Sequence, residues 1–274
     1  MGEKNVNEMS FLDHLEELRW HLIRAILAIL IIATIAFIFS RSLFKLIIFA
    51  PLEMDFPTYK LLCKAGNFIG VDSSFCAESM PMIIQNRTMA GQFSADIWTA
   101  IFAGFVVSFP FVIYELWKFI SPGLHETERK YSRGFIIISS LLFFLGVLFG
   151  YYIVCPLSIN FLANYNISDV VDNQIDISSY IGLVRSTALA SGIIFELPII
   201  IYFLTKVGLV TPEFLRKYRK YALVVVLVLS AIITPPDIAS QVIVAIPILI
   251  LYQVSIFISK VVVKNQKKKE KAHV

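Results

Sequence analysis

From Leu22 to Phe39 the chain is almost wholly apolar, interrupted only by Arg24 and Thr34. Comparable runs recur at residues 97–120, 135–154, 181–204 and 238–258, and a shorter one lies at 220–233. A helix rising 1.5 Å per residue needs about 20 mainly apolar residues to cross the hydrocarbon of a bilayer. The pattern therefore predicts an all-α integral membrane protein with six transmembrane helices. Pro110 and Pro198 fall inside the second and fourth runs and predict kinks there. The segment Thr234-Pro235-Pro236-Asp237 cannot continue a helix, so it divides the last apolar stretch into a hairpin of two short spans. The fifth span, counted from Ala222, covers only about 18 Å. It must borrow Tyr218 and Tyr221 or thin the bilayer beside it.

The segment before the first span, Ser10 to Arg24, has a different pattern. Ser10 followed three residues later by Asp13 is a capping-box arrangement and predicts a helix start. At 100° per residue Phe11, Leu15, Leu18 and Leu22 share a stripe, while Glu17, His21 and Arg24 lie opposite, with Asp13 close by. So short a helix is marginal in water and needs a surface to lie on. An acidic amphipathic helix thus feeds directly into a span and holds Glu16 and Glu17 at the headgroup level, suited to something cationic. The competing reading is a solvated helix face at a membrane border.

Composition agrees with the class. Apolar residues make up 57% of the 274 residues and charged residues 16%, against roughly 45–50% and 25% in soluble domains. No cleavable signal peptide is expected before the first span, because the N-terminus is mixed in charge and lacks a small-residue cleavage site. Lys and Arg concentrate in alternate connections: the N-terminus, residues 118–133, residues 206–220 and the lysine-rich end from Lys260. By the positive-inside rule these are cytoplasmic, which puts both termini inside. Residues 40–96 and 155–180 are then extracytoplasmic loops, and residues 260–274 a basic cytoplasmic tail. Cys63 and Cys76 fall in the first loop and are able to pair in an oxidising compartment; two shielded thiols are the other reading. Cys155 has no evident partner.

A charge inside a span is costly unless solvated or paired. Glu196 lies near the middle of the fourth span, after the small residues Ala190, Ser191 and Gly192. Thr234, Asp237 and Gln241 gather polar groups at the hairpin tip, where Asp237 also suits a helix N-cap. Glu115 and Lys118, near the inner end of the second span, read as snorkelling border residues. The following connection, Trp117 to Gly134, holds Glu126 and Glu128 beside Arg129, Lys130 and Arg133. Carboxylates therefore stand at one membrane level in two cytoplasmic segments. No catalytic triad, zinc motif or phosphate loop is present, so neither an enzyme nor a metal or cofactor site is expected. His14, His21, His125 and His273 read as structural or incidental. A secondary transporter with Glu196 as its proton or cation site is an alternative, although internal repeats are absent.

Four separated stretches, HLEELRWHL (His14 to Leu22), FISPGLHETERK (Phe119 to Lys130), FELP (Phe195 to Pro198) and TPPDIASQ (Thr234 to Gln241), together resemble the TatC family. That family supplies the polytopic core subunit of the twin-arginine protein translocase. The first outer loop, about Thr58 to Arg87, is longer than the family's usual one. The resemblance implies a receptor for twin-arginine signal peptides of folded cargo. It also implies TatA/TatB-type single-span partners, a multimeric complex among membrane lipids, and transport on the proton-motive force across the inner membrane. No nucleic acid is implicated. The family's signal-binding positions fall on Glu17, Leu18, Arg19, Phe119, Pro122 and Glu128. Its intramembrane acid falls on Glu196, and its partner-docking positions on Thr234 and Gln241, beside Asp237.

Overall fold

The computed structural model describes residues 11–69, 76, 82–121, 132–168, 173–234 and 238–272. Ser10, Pro122, Glu126, Glu128 and Asp237 lie outside these. In chain order the helices are α1 (Phe11–Ile38), α2 (Ser40–Leu43), α3 (Pro57–Ile69), α4 (Gly91–Ile120), α5 (Ser132–Phe149) and α6 (Cys155–Asn164). They continue with α7 (Ile177–Phe195), α8 (Leu197–Lys206), α9 (Pro212–Lys217), α10 (Arg219–Ile233) and α11 (Ile238–Ala272). Among the described residues, five helical stretches are long and apolar enough to cross a membrane: Leu15–Ile38, Gly91–Ile120, Gly134–Asn164, Ile177–Lys206 and Ser240–Lys267. The fifth expected span, α10, has 15 residues and falls short of that length even with Arg219, Lys220 and Tyr221 added.

Several boundaries differ from the hydropathy reading. The third run does not end at residue 154. A π-helical turn at Gly150–Val154 leads into α6, so the helix extends through Asn164 into the expected outer loop. Pro156 is tolerated in the first turn of α6 because the N–H it lacks is one that such a turn leaves without a helical acceptor. Likewise α11 runs to Ala272 through the expected tail. Lys, Gln and Glu are good helix formers, and the Gln266 side-chain amide donates to the Lys206 carbonyl at 3.0 Å. The described part of the expected first outer loop also holds regular structure, with α2, α3 and short π and 3-10 turns. The all-α expectation needs one amendment: Ile83–Gln85 (β1) and Gln174–Asp176 (β2) pair in parallel, Ile84 opposite Ile175.

The chain forms two compact units. The first comprises residues 1–46 and 87–141, and its described part is dominated by α1 packed antiparallel on α4. In lipid the hydrophobic effect offers little to hold two helices together, so close backbone approach has to do it. Gly104 provides this: a Cβ there would stand 2.7 Å from the Ile29 carbonyl oxygen and 2.8 Å from the Ala33 Cβ. Ala25, Ala33, Ala100 and Thr99 are buried, whereas Leu22, Leu27, Leu30 and Ile31 on α1 are exposed.

The second unit comprises residues 47–86 and 142–274. Gly146 of α5 meets α7 backbone to backbone, its absent Cβ 2.6 Å from the Ser191 carbonyl oxygen and 2.8 Å from the Gly192 Cα. Val154, Val226, Val244, Ala245 and Ile248 form one buried cluster; Ile201, Leu215, Tyr252 and Ile256 form another. The irregular turns after residue 46 leave carbonyls without helical partners, and tyrosines take them. Tyr151 donates to Ile47 at 2.7 Å, Tyr180 to Ile48 at 2.7 Å and Tyr59 to Pro51 at 2.9 Å. Thr58 donates to the Tyr152 carbonyl. Burial pushes the Tyr59 phenol well above its ordinary pKa, so it stays a donor. Cys63 of α3 is joined to Cys76 by a disulfide with an S–S distance of 2.05 Å.

Candidate functional site

Helix α1 brings Glu17, His21 and Arg24 to one face at spacings of four and three residues. That face turns inward: His21 is 7% exposed, and Leu15 and Leu22, on the apolar stripe, are 45% and 57% exposed. At His21 the polar side of the amphipathic helix therefore packs on α4, while Leu15 and Leu22 of the apolar stripe face outward, where lipid is the solvent.

Glu115 of α4 meets that face and is 3% exposed. Its Oε2 lies 2.7 Å from His21 Nδ1 and 3.1 Å from Arg24 Nε. The snorkelling reading of Glu115 is thus corrected, and of the two readings of His21, structural or incidental, the structural one holds. A carboxylate five residues inside the end of α4 cannot reach water through packed neighbours, and it takes its donors from α1. The rule that a charge inside a span needs a partner was the signal available for it. Lys118, by contrast, does reach outward, its Nζ 4.4 Å from the Tyr114 ring centroid.

One turn further toward the same end of the pair stand two residues named by the motifs. Glu17 is half-buried; its Oε2 is shielded from solvent and has no hydrogen-bond donor among the described residues. Phe119 meets the His21 ring edge-on, centroids 6.3 Å apart at 61°. Leu18 is half-buried, while Glu16 and Arg19 are exposed, the Arg19 guanidinium 5.5 Å from the Trp20 ring centroid. This end of the α1–α4 pair therefore presents a carboxylate oxygen with no donor among the described residues and, one turn past Glu115, an aromatic ring. Such a pairing suits a guanidinium, whose planar fork donates to carboxylates and stacks on rings.

In the second unit Glu196 is buried at the break between α7 and α8, where its backbone carbonyl accepts from Ile199 and Ile200. Pro198 in the first turn of α8 explains the break. Thr234 is buried and donates to the Ser230 carbonyl at 2.8 Å; Gln241 of α11 donates to the Leu227 carbonyl of α10 at 3.0 Å. These two polar positions stand on facing helices of one hairpin.

Long apolar helices with acidic side chains buried among them define a polytopic membrane protein. The sequence profile of the family described as Sec-independent protein translocase protein (TatC) matches residues 13–247. A TatC protein of Blattabacterium sp. subsp. Periplaneta americana is 48% identical over 262 residues, covering 95% of this chain and 98% of the relative. One from Aquifex aeolicus is 35% identical over 265 residues, covering 96% and 100%. A crystal structure of the twin arginine translocase receptor TatC superposes with a TM-score of 0.68 at 34% identity, covering 91% of this chain and 99% of that one. The chain belongs to the TatC family of Sec-independent protein translocase proteins.

Proposed function

We propose that this protein is the signal-peptide receptor and assembly subunit of a twin-arginine export machine in the inner membrane, with six spans and both termini cytoplasmic. The basic connections and the lysines of α11 support that orientation, and α10 makes the fifth of the six crossings where the bilayer thins beside it. Glu17, Leu18, Arg19 and Phe119, together with Pro122 and Glu128, form the recognition surface for the paired arginines. Glu196, Thr234, Asp237 and Gln241 receive TatA/TatB-type single-span partners, and the assembled complex moves folded cargo on the proton-motive force.

The observation that carries this reading is the shielded Glu17 oxygen, without a donor among the described residues, one turn from the His21–Phe119 contact. A carboxylate held there gains more from a bidentate guanidinium than from a lysine, whose point charge does not fit the paired geometry. The test uses a signal peptide with a photo-crosslinker beside its arginine pair, added to the full chain in membranes. Crosslinks to α1 and Phe119 are expected, and a peptide with both arginines changed to lysine should give far fewer. Equal capture of both peptides would refute the reading.

The Cys63–Cys76 bridge belongs to the same proposal, because it requires the first loop to face an oxidising compartment. It closes a short loop and contributes about 3 kcal/mol by chain-entropy reasoning. Peptide mapping of unreduced protein should recover the two cysteine peptides joined. Free, alkylatable thiols at both positions in protein taken from its native membrane would contradict that placement.

A further inference from the structure

Glu115 lies outside the four family-like stretches, yet it is the polar centre of the α1–α4 pair. Its Oε2 receives His21 at 2.7 Å and Arg24 at 3.1 Å. Arg24 Nη2 also stands 3.1 Å from the same His21 nitrogen. A ring nitrogen that donates to a carboxylate cannot accept from a guanidinium as well. Chemistry assigns the proton to Nδ1, because two donors then converge on one anionic oxygen.

The two helices run antiparallel: His21 meets Glu115, and further along α1 Ile29 and Ala33 meet Gly104. Glu17, four residues before His21, and Phe119, four after Glu115, thus stand one turn beyond the ion cluster at the same end. The His21 ring, oriented by Glu115, is the one that supports Phe119. Arg24 lies seven residues from Glu17 along α1, about 10 Å. Left unpaired there, a half-exposed guanidinium would oppose the approach of a doubly cationic tag.

We infer that Glu115 is a positioning residue of the recognition site: it fixes His21 beneath Phe119 and neutralises Arg24 near Glu17. This inference rests on the reading of Glu17 and Phe119 as contacts for the paired arginines.

The test is titration of a labelled twin-arginine signal peptide onto the full chain in nanodiscs. Glu115→Leu removes both functions, and affinity should fall about 10-fold or more. Glu115→Gln keeps an acceptor for His21 and Arg24 but loses the charge, and about a threefold loss is expected. The double change Glu115→Gln with Arg24→Gln restores neutrality, and affinity should return to within about twofold of the parent. Should Glu115→Leu fail to insert, the Gln variant and its rescue decide the matter.

Parental affinity in Glu115→Gln, or a weakened Gln variant that Arg24→Gln does not rescue, overturns the inference. So does a lowered melting temperature with unchanged affinity of the folded protein, the signature of a purely structural residue. If Glu17→Gln binds poorly while every Glu115 variant binds normally, only the positioning role falls. If Glu17→Gln also binds normally, the recognition reading falls with it.

Discussion

Glu17→Gln should weaken binding of a twin-arginine signal peptide by about 100-fold. A hydrogen bond to a charged group contributes about 1.5–3 kcal/mol, and a bidentate guanidinium makes two to one carboxylate. Allowing for partial exposure of Glu17, about 3 kcal/mol remains, equivalent to about 100-fold in Kd. The amide keeps the shape and one acceptor but loses the charge and the second acceptor. Glu16→Gln is the natural control, since Glu16 is exposed, and it should shift Kd by less than about threefold. Titration by fluorescence anisotropy distinguishes the two. The parent protein should discriminate strongly against a peptide with lysines for arginines, and Glu17→Gln only weakly. Equal losses in Glu16→Gln and Glu17→Gln would mean that diffuse negative charge, rather than one placed carboxylate, attracts the tag.

The second large effect is on stability. Gly146→Leu should destabilise the protein by about 3 kcal/mol, toward the upper end of what overpacking costs. The added Cβ would sit 2.6 Å from the Ser191 carbonyl oxygen, and a main-chain atom in a helix cannot swing aside as a side-chain tip can. Helices α5 and α7 would have to separate, losing the close packing that substitutes for the hydrophobic effect in lipid. Gly134→Leu in the same helix meets nothing within 4 Å and should be nearly silent. Thermal unfolding in detergent, read by intrinsic fluorescence, compares them directly. Matching melting temperatures for the two variants would show that the α5–α7 contact yields without cost.

Much of the helical framework was legible beforehand because lipid leaves the backbone few options. Each N–H and C=O must be satisfied within the segment, so a long apolar run becomes a helix. The break at Glu196 followed from Pro198 for the same local reason. Other boundaries escaped because hydropathy marks where lipid ends, whereas a helix stops only where propensity or a competing hydrogen bond stops it. The polar stretch of α6 after Val154 and the lysine-rich end of α11 are helical although neither is apolar throughout. The short β1–β2 pair joins segments about ninety residues apart in sequence, and no local pattern announces such a pairing.

Within the candidate site, Glu17 and Phe119 were recognisable from motif residues, and Glu196 from its charge inside a span. The partners of Glu115 were not. Periodicity correctly put Glu17, His21 and Arg24 on one face of α1, but it cannot tell which face meets protein and which meets lipid. In water the apolar stripe would turn inward. In a bilayer Leu15 and Leu22 turn outward, and His21 is buried because only protein can supply it with a partner. The sequence by itself determined the membrane class, the long helices and the identity of the acidic residues, since these depend on local composition and backbone satisfaction. Tertiary structure alone decided that α1 turns His21 toward α4 and that Glu115 closes on His21 and Arg24. Pairing a buried charge depends on which helix lies opposite, and that is a property of the packed molecule.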